Sequence, residues 1–102
     1  MNILTSQTFN DFIKSQKVVV VKFFATWCGP CKMYGPVLEE VSKEVNDVAF
    51  GSVDIDQEEA LASQYKVTTV PTTMVFVDGK PVNQFVGFKP KQQVIEFINA
   101  NK

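Results

Sequence analysis

The segment of this chain that most constrains its fold is the run Val-Val-Val-Val-Lys-Phe-Phe at positions 18–24. It is far shorter than the roughly 20 residues that span a bilayer, and its β-branched and aromatic content favours strand. So continuous an apolar run belongs to a strand covered on both faces, which requires helices on either side of its sheet. The flanking sequence supplies those helices. The cap-type residues Thr5 and Ser6 precede Phe9, Phe12 and Ile13 at helical spacing. Met33, Val37, Val41 and Val45 recur every fourth residue, opposite Lys32, Glu39, Glu40, Lys43 and Glu44, and predict a long helix with those four as its apolar face. Pro36 falls inside that helix and removes a hydrogen bond, so a kink is expected there. Residues 57–65 read as a short helix with Glu58 and Glu59 near its positive end, and Val94, Ile95, Phe97 and Ile98 give a last helix its buried side. Strands are expected at 2–4, 48–53, 72–77 and 81–86. The last two form an antiparallel hairpin at Asp78-Gly79, whose loop Lys80 is expected to lengthen. The order is βαβαβαββα, an α/β architecture with a largely parallel sheet, and 102 residues leave room for one domain, 1–102.

Charge and composition narrow the chemistry. Ten basic and eleven acidic residues give a net charge of −1, too little positive charge to neutralise phosphates in quantity, so nucleic acid is not an expected partner. No histidine is present, which removes the commonest general base and the commonest zinc ligand. The first residues lack a charged region, a long apolar stretch and a small-residue cleavage site, so the expectation is a soluble cytoplasmic protein with no membrane partner. Two cysteines are too few for a disulfide framework of the kind that holds small secreted domains together.

Those two, Cys28 and Cys31, stand in Trp27-Cys28-Gly29-Pro30-Cys31, where the central strand ends and the long helix begins. A cysteine at a helix N-terminus faces unpaired amides and the positive end of the dipole, which favour thiolate and make Cys28 nucleophilic near neutral pH. Cys31, one turn further in, is expected to be more buried and more fully protonated, yet close enough to form a disulfide with Cys28. Gly29 lets another backbone approach, and Pro30 fixes φ where its missing N–H costs nothing. A bare C-x-x-C also serves zinc sites and structural bridges. Zinc needs about four ligands, and only carboxylates remain to supply them. A structural bridge closing so short a loop recovers little unfolded-state entropy.

The segment Phe23-Phe24-Ala25-Thr26-Trp27-Cys28-Gly29-Pro30-Cys31-Lys32-Met33 resembles the active-site segment of the thioredoxin family. The match continues through Pro36, Val53-Asp54-Ile55-Asp56, Val70-Pro71-Thr72, Asp78-Gly79 and Gly87, and so covers essentially the whole chain. The resemblance implies a five-stranded mixed sheet flanked by four helices and a protein-disulfide reductase activity. In that reading Cys28 attacks a client disulfide and Cys31 resolves the mixed disulfide. It also implies recycling by a thioredoxin reductase drawing on NADPH, no bound cofactor or metal, monomeric state, and disulfide-bearing clients such as peroxiredoxin-like proteins. By the family's pattern Pro71 is cis and lies against the cysteine pair, and the Val70 backbone pairs with an extended client. Trp27, Gly29, Pro30, Val70, Pro71, Val86, Gly87 and Phe88 would form the docking surface. One departure stands out. Where many members carry a buried aspartate six positions before the first cysteine, with a lysine nearby on the third strand, this chain has Lys22 and Ser52. Lys22 then either snorkels to water or is a buried amine that modulates the site's protons. An oxidant or isomerase on the same fold, and a binding subunit using the same surface, are the alternatives; Gly-Pro between the cysteines resembles the reducing members.

Overall fold

The computed structural model describes residues 1–102 as β1 (Asn2–Ile3), α1 (Phe9–Ile13), β2 (Val18–Phe24), α2 (Gly29–Glu44), β3 (Ala49–Asp54), α3 (Glu59–Gln64), β4 (Thr72–Val77), β5 (Lys80–Val86) and α4 (Lys91–Ala100). The strands form one sheet in the order β1-β3-β2-β4-β5. β2 is central, and Val18 to Phe23 are all buried. Alternate side chains of β2 feed two cores. Val18 and Val20 pack with Val75 against Tyr34, Leu38 and Val41 of α2 and Val94 and Ile98 of α4. Val19, Val21 and Phe23 pack with Phe76 against Phe9 and Ile13 of α1 and Leu61 of α3.

Three sequence-based expectations need correction. The sheet is the five-stranded mixed one that the family resemblance implies, not the largely parallel one suggested by the alternation of strands and helices: β1 and β2 run parallel to β3, but β4 is antiparallel to β2 and β5 antiparallel to β4. Strand polarity depends on how each connection returns to the sheet, which side-chain periodicity does not encode. The hairpin loop is also tighter than expected, because Lys80 already pairs with Val77. Asp78 and Gly79 form the whole loop with φ values of 53° and 80°, the two positive angles of a type I′ turn.

The third correction concerns α2, whose buried residues are Cys31, Tyr34, Leu38 and Val41, with Val45 following. Met33 is 68% exposed. A strict four-residue step advances 400° around the helix and drifts about 40° each time, whereas alternating steps of three and four stay on one face. Val37 lies half-buried between the two patterns, and α2 continues through Pro36 as one helix.

Candidate active site

Strand β2 delivers the chain to the sheet's carboxyl edge, where buried Ala25 ends the extended run and the Cys28 N–H bonds the Ala25 carbonyl at 3.3 Å. Cys28 is the N-cap of α2, with extended φ and ψ of −87° and 115°. Its Sγ accepts a hydrogen bond from the Cys31 N–H at 3.1 Å, as a serine or aspartate oxygen does at an ordinary N-cap. Pro30 sits in the first turn, where no helical partner exists for its missing N–H. Cys28 and Cys31 are joined by a disulfide, with their Cα atoms 5.2 Å apart. When the bond opens, the same amide and the positive end of α2 face the Cys28 sulfur and favour its anionic form.

Burial does not separate the two cysteines as expected. Cys28 is 4% and Cys31 5% exposed, because Ala25, Phe24, Ile55 and Val70 pack around both. What distinguishes them is placement: Cys28 caps the helix beside the neighbouring loop, whereas Cys31 lies within the helical turn. The Val70 carbonyl oxygen is 3.6 Å from Cys28 Sγ. The Val70–Pro71 peptide is cis, and Pro71 itself is buried, so the backbone of Val70 is what this corner presents. Neither the N–H nor the C=O of Val70 takes part in a backbone hydrogen bond.

Three of the exposed large apolar side chains lie around this corner. Trp27 is 68% exposed, Val86 54% and Phe88 46%, and Gly29 and Pro30 are exposed beside them. Gly87 has φ of +95° and donates its N–H to the Pro71 carbonyl at 2.8 Å, which ties the end of β5 to the corner. Two contacts that sequence reasoning missed fix the surroundings. Trp27 Nε1–H donates to Asp56 Oδ2 at 2.8 Å, holding the indole over the loop after β3. The buried Tyr34 hydroxyl and Thr73 Oγ1 share a hydrogen bond of 2.7 Å, and the Tyr34 ring meets Phe88 edge-on at 6.2 Å. Burial pushes the Tyr34 hydroxyl up to about 12, against a lesser opposing effect of the Thr73 hydrogen bond. Only the acidic and aromatic residue types hinted at these pairs, which join positions 29 and 39 residues apart.

Lys22 lies on the α2 side of β2, flanked in register by Ser52 of β3 and Thr73 of β4. The residue is 8% exposed, and its Nζ is 5.0 Å from the Phe24 ring centroid. Desolvation lowers the affinity of its amine for a proton, while the field of Glu39 works the other way. No group of three or more histidine, cysteine or acidic residues gathers as a metal site, and no helix is long and apolar enough to cross a membrane.

A dithiol–disulfide pair closed at a helix N-terminus, on the carboxyl edge of a mixed sheet, defines a thiol-disulfide oxidoreductase. The thioredoxin family model matches residues 1–100. Thioredoxin of Chlamydia caviae is 46% identical over 101 residues, covering 99% of this chain and 98% of that protein. The X-ray structure of Fasciola hepatica thioredoxin superposes with a TM-score of 0.92 at 38% identity, covering 100% of both chains. A chain in a structure described as showing the thiol resolving mechanism in yeast mitochondrial 1-Cys peroxiredoxin via glutathione/thioredoxin systems superposes with a TM-score of 0.90 at 31% identity, covering 98% of this chain and 94% of that one. The chain belongs to the thioredoxin family. Its redox-active disulfide is Cys28–Cys31, its activity is consistent with protein-disulfide reduction, and its clients are disulfide-containing proteins.

Proposed function

We propose that this chain is a single-domain, monomeric cytoplasmic reductase in which Cys28 is the attacking sulfur and Cys31 the resolving one. The observation that carries the assignment is the hydrogen bond from Cys31 N–H to Cys28 Sγ at the N-cap of α2. It supplies one sulfur, and not the other, with an amide donor and the helix dipole. The Cys28 thiolate attacks a client disulfide, displacing one client sulfur as thiolate. Cys31, once deprotonated, attacks Cys28, closing the Cys28–Cys31 bond and releasing the second client thiolate. The unpaired Val70 backbone 3.6 Å from Cys28 supports addition of an extended client segment as a short extra strand. Exposed Trp27, Gly29, Pro30, Val86 and Phe88, with Gly87 and Pro71 shaping the corner, support an apolar docking surface around it. A Cα radius of gyration of 12.2 Å, near the ~13 Å of a compact 100-residue unit, supports one domain over 1–102.

Recycling of the oxidised pair belongs to a thioredoxin reductase using NADPH, which the family membership supports. The likeness to the chain from the peroxiredoxin structure supports peroxiredoxin-type clients among those reduced. The test is trapping. With a disulfide-bearing client, Cys31→Ser accumulates a mixed disulfide through Cys28, whereas Cys28→Ser yields neither adduct nor turnover. Adducts formed chiefly by Cys28→Ser would reverse the two roles, and a strongly oxidising equilibrium of the pair against glutathione would favour an oxidant or isomerase instead.

A further inference from the structure

Lys22 is the one charged side chain buried in the sheet, and its position relative to the cysteines gives it work to do. Its Nζ lies 3.7 Å from where a Cβ on Gly35 would stand, and Gly35 is one helical turn beyond Cys31 on the same helix. The ammonium also sits 5.0 Å from the Phe24 ring, and Phe24 packs directly on the cluster of Ala25, Cys28 and Cys31. Both distances place a positive charge on the inner side of α2, one helical turn from Cys31, with an aromatic ring beside it. No carboxylate lies within ion-pair distance of this amine. No fully buried side-chain polar atom lacks a partner, so Nζ, which has no hydrogen bond in the protein, keeps contact with water. Ser52 Oγ satisfies the same condition in the adjacent register position. The polar ends of Lys22 and Ser52 thus both keep some contact with solvent from neighbouring positions in the sheet.

We infer that Lys22 is a positioning residue for the resolving step: its ammonium stabilises the Cys31 thiolate that attacks the mixed disulfide. This rests on the reading of Cys31 as the resolving sulfur. In the step, the Cys31 S–H proton leaves to water, and the Cys31 thiolate bonds to Cys28 Sγ. The Cys28–client bond breaks with its electron pair on the client sulfur, so the protein pair is oxidised and the client reduced. The groups facing Lys22 set the balance of charge. From α2 come Glu39, whose carboxylate is also held by the N-terminal amine at 3.2 Å, and Tyr34, neutral until about pH 12. From β3 comes Asp54, on the face it shares with Ser52, its Oδ1 accepting from the Asp56 N–H. β4 contributes only uncharged Thr73. Without the ammonium, the charges left facing this side of the sheet are the carboxylates of Glu39 and Asp54, which oppose a thiolate, while Lys32 beside Cys31 is exposed on the solvent side of α2.

The size of the effect follows from distance. One helical turn plus the contact to Gly35 puts the charge on the order of 8 Å from Cys31. At an effective dielectric of about 40, such a charge lowers a thiol's pKa by roughly three-quarters of a pH unit. Lys22→Met, which keeps the stem and removes the charge, should raise the Cys31 pKa by that amount. The thiolate fraction then falls, but each thiolate becomes more nucleophilic with a slope of about 0.4–0.5, so resolution slows roughly two- to fourfold below the thiol's pKa. The deficit closes as pH rises through that pKa. A purely structural role would give a ratio that does not change with pH.

Stopped-flow reduction of an aryl disulfide with a coloured thiolate reads both steps, since Cys28 attack releases the first equivalent and Cys31 resolution the second. NMR titration of the Cys31 β-carbon in the same reduced proteins gives the pKa directly. The expected result is an unchanged first phase, a pH-dependent second-phase deficit in Lys22→Met, a raised Cys31 pKa, and restoration of both by Lys22→Arg. A Cys31 titration superimposable on that of the unsubstituted chain, or a second-phase ratio constant from pH 6 to pH 9, overturns the inference. Loss of the first phase in the unsubstituted chain would instead overturn the reading on which it rests.

Discussion

Replacing Tyr34 by Phe should invert the order of stability between neutral and alkaline pH. Tyr34 is fully buried, and its hydroxyl bonds Thr73 Oγ1 at 2.7 Å in a pocket where Thr73 is also fully buried. At pH 7 the substitution leaves the Thr73 hydroxyl without its partner, which costs about 1–2 kcal/mol. At high pH the phenol itself becomes the liability. Its folded pKa is pushed up to about 12 from an ordinary 10.0, so between those values the native state holds a proton that the unfolded chain has lost. Stability therefore falls as pH rises through this window: about 1.4 kcal/mol is gone at pH 11, and about 2.7 kcal/mol once both values are passed. The two effects cancel near pH 11, above which the Phe variant should be the more stable. Lys22 and Tyr65 also titrate differently in the folded chain, with a lowered and a raised pKa respectively, but both are present in each protein and drop out of the difference. Urea denaturation at pH 7, 10, 11 and 11.5, under otherwise fixed conditions, gives that difference directly. Parallel stability curves, with Tyr34→Phe lower throughout by a constant amount, would refute the argument.

Two further expectations test other parts of the structure. Gly51→Ala should lower stability by about 1–3 kcal/mol in urea with little change in m, because the new methyl would sit 2.7 Å from Leu4 Cδ1 and 2.9 Å from Phe12 Cε2; an unchanged or raised midpoint would show that β1 and α1 yield freely. Asp56→Ala should lower the fluorescence anisotropy of Trp27, the only tryptophan, since the 2.8 Å hydrogen bond that holds its exposed indole is lost; unchanged anisotropy would mean that packing alone fixes the ring.

Much of the fold was legible because its largest elements carry strong local patterns. Val18–Phe24 and Thr72–Val77 appear with the residues expected, and Asp78-Gly79 makes the turn its chemistry predicts. Ends were less legible: β1 stops at Ile3 and α3 shrinks to Glu59–Gln64, where short elements take their limits from neighbours rather than from their own periodicity. The polarity of β4 was not legible for a different reason. Nothing in Thr72–Val77 distinguishes a strand parallel to β2 from one antiparallel to it, since both bury the same alternate residues.

The site divides along the same line between local and distant causes. Cys28 at the N-cap and Pro30 in the first turn could be read from five consecutive residues, because capping and φ preference act within one turn. Met33 was assigned to the wrong side of α2 by a stride that drifts around the helix, and its exposure adds an apolar side chain two residues beyond Cys31. Trp27 to Asp56 and Tyr34 to Thr73 were invisible because each partner arrives on a different element, and only the register of β3 and β4 against β2 brings them together. Lys22 shows both causes at once. Strand alternation placed its stem among Val18, Val20 and Phe24, but whether the amine there is idle depends on which helix crosses above it. The structure answers with Gly35, a position without a side chain one turn from Cys31, where a Cβ would stand 3.7 Å from the ammonium in ordinary contact. On the proposal above, a charge held one helical turn from Cys31 bears on the resolving thiolate, so the resolving step is where removing it should be read.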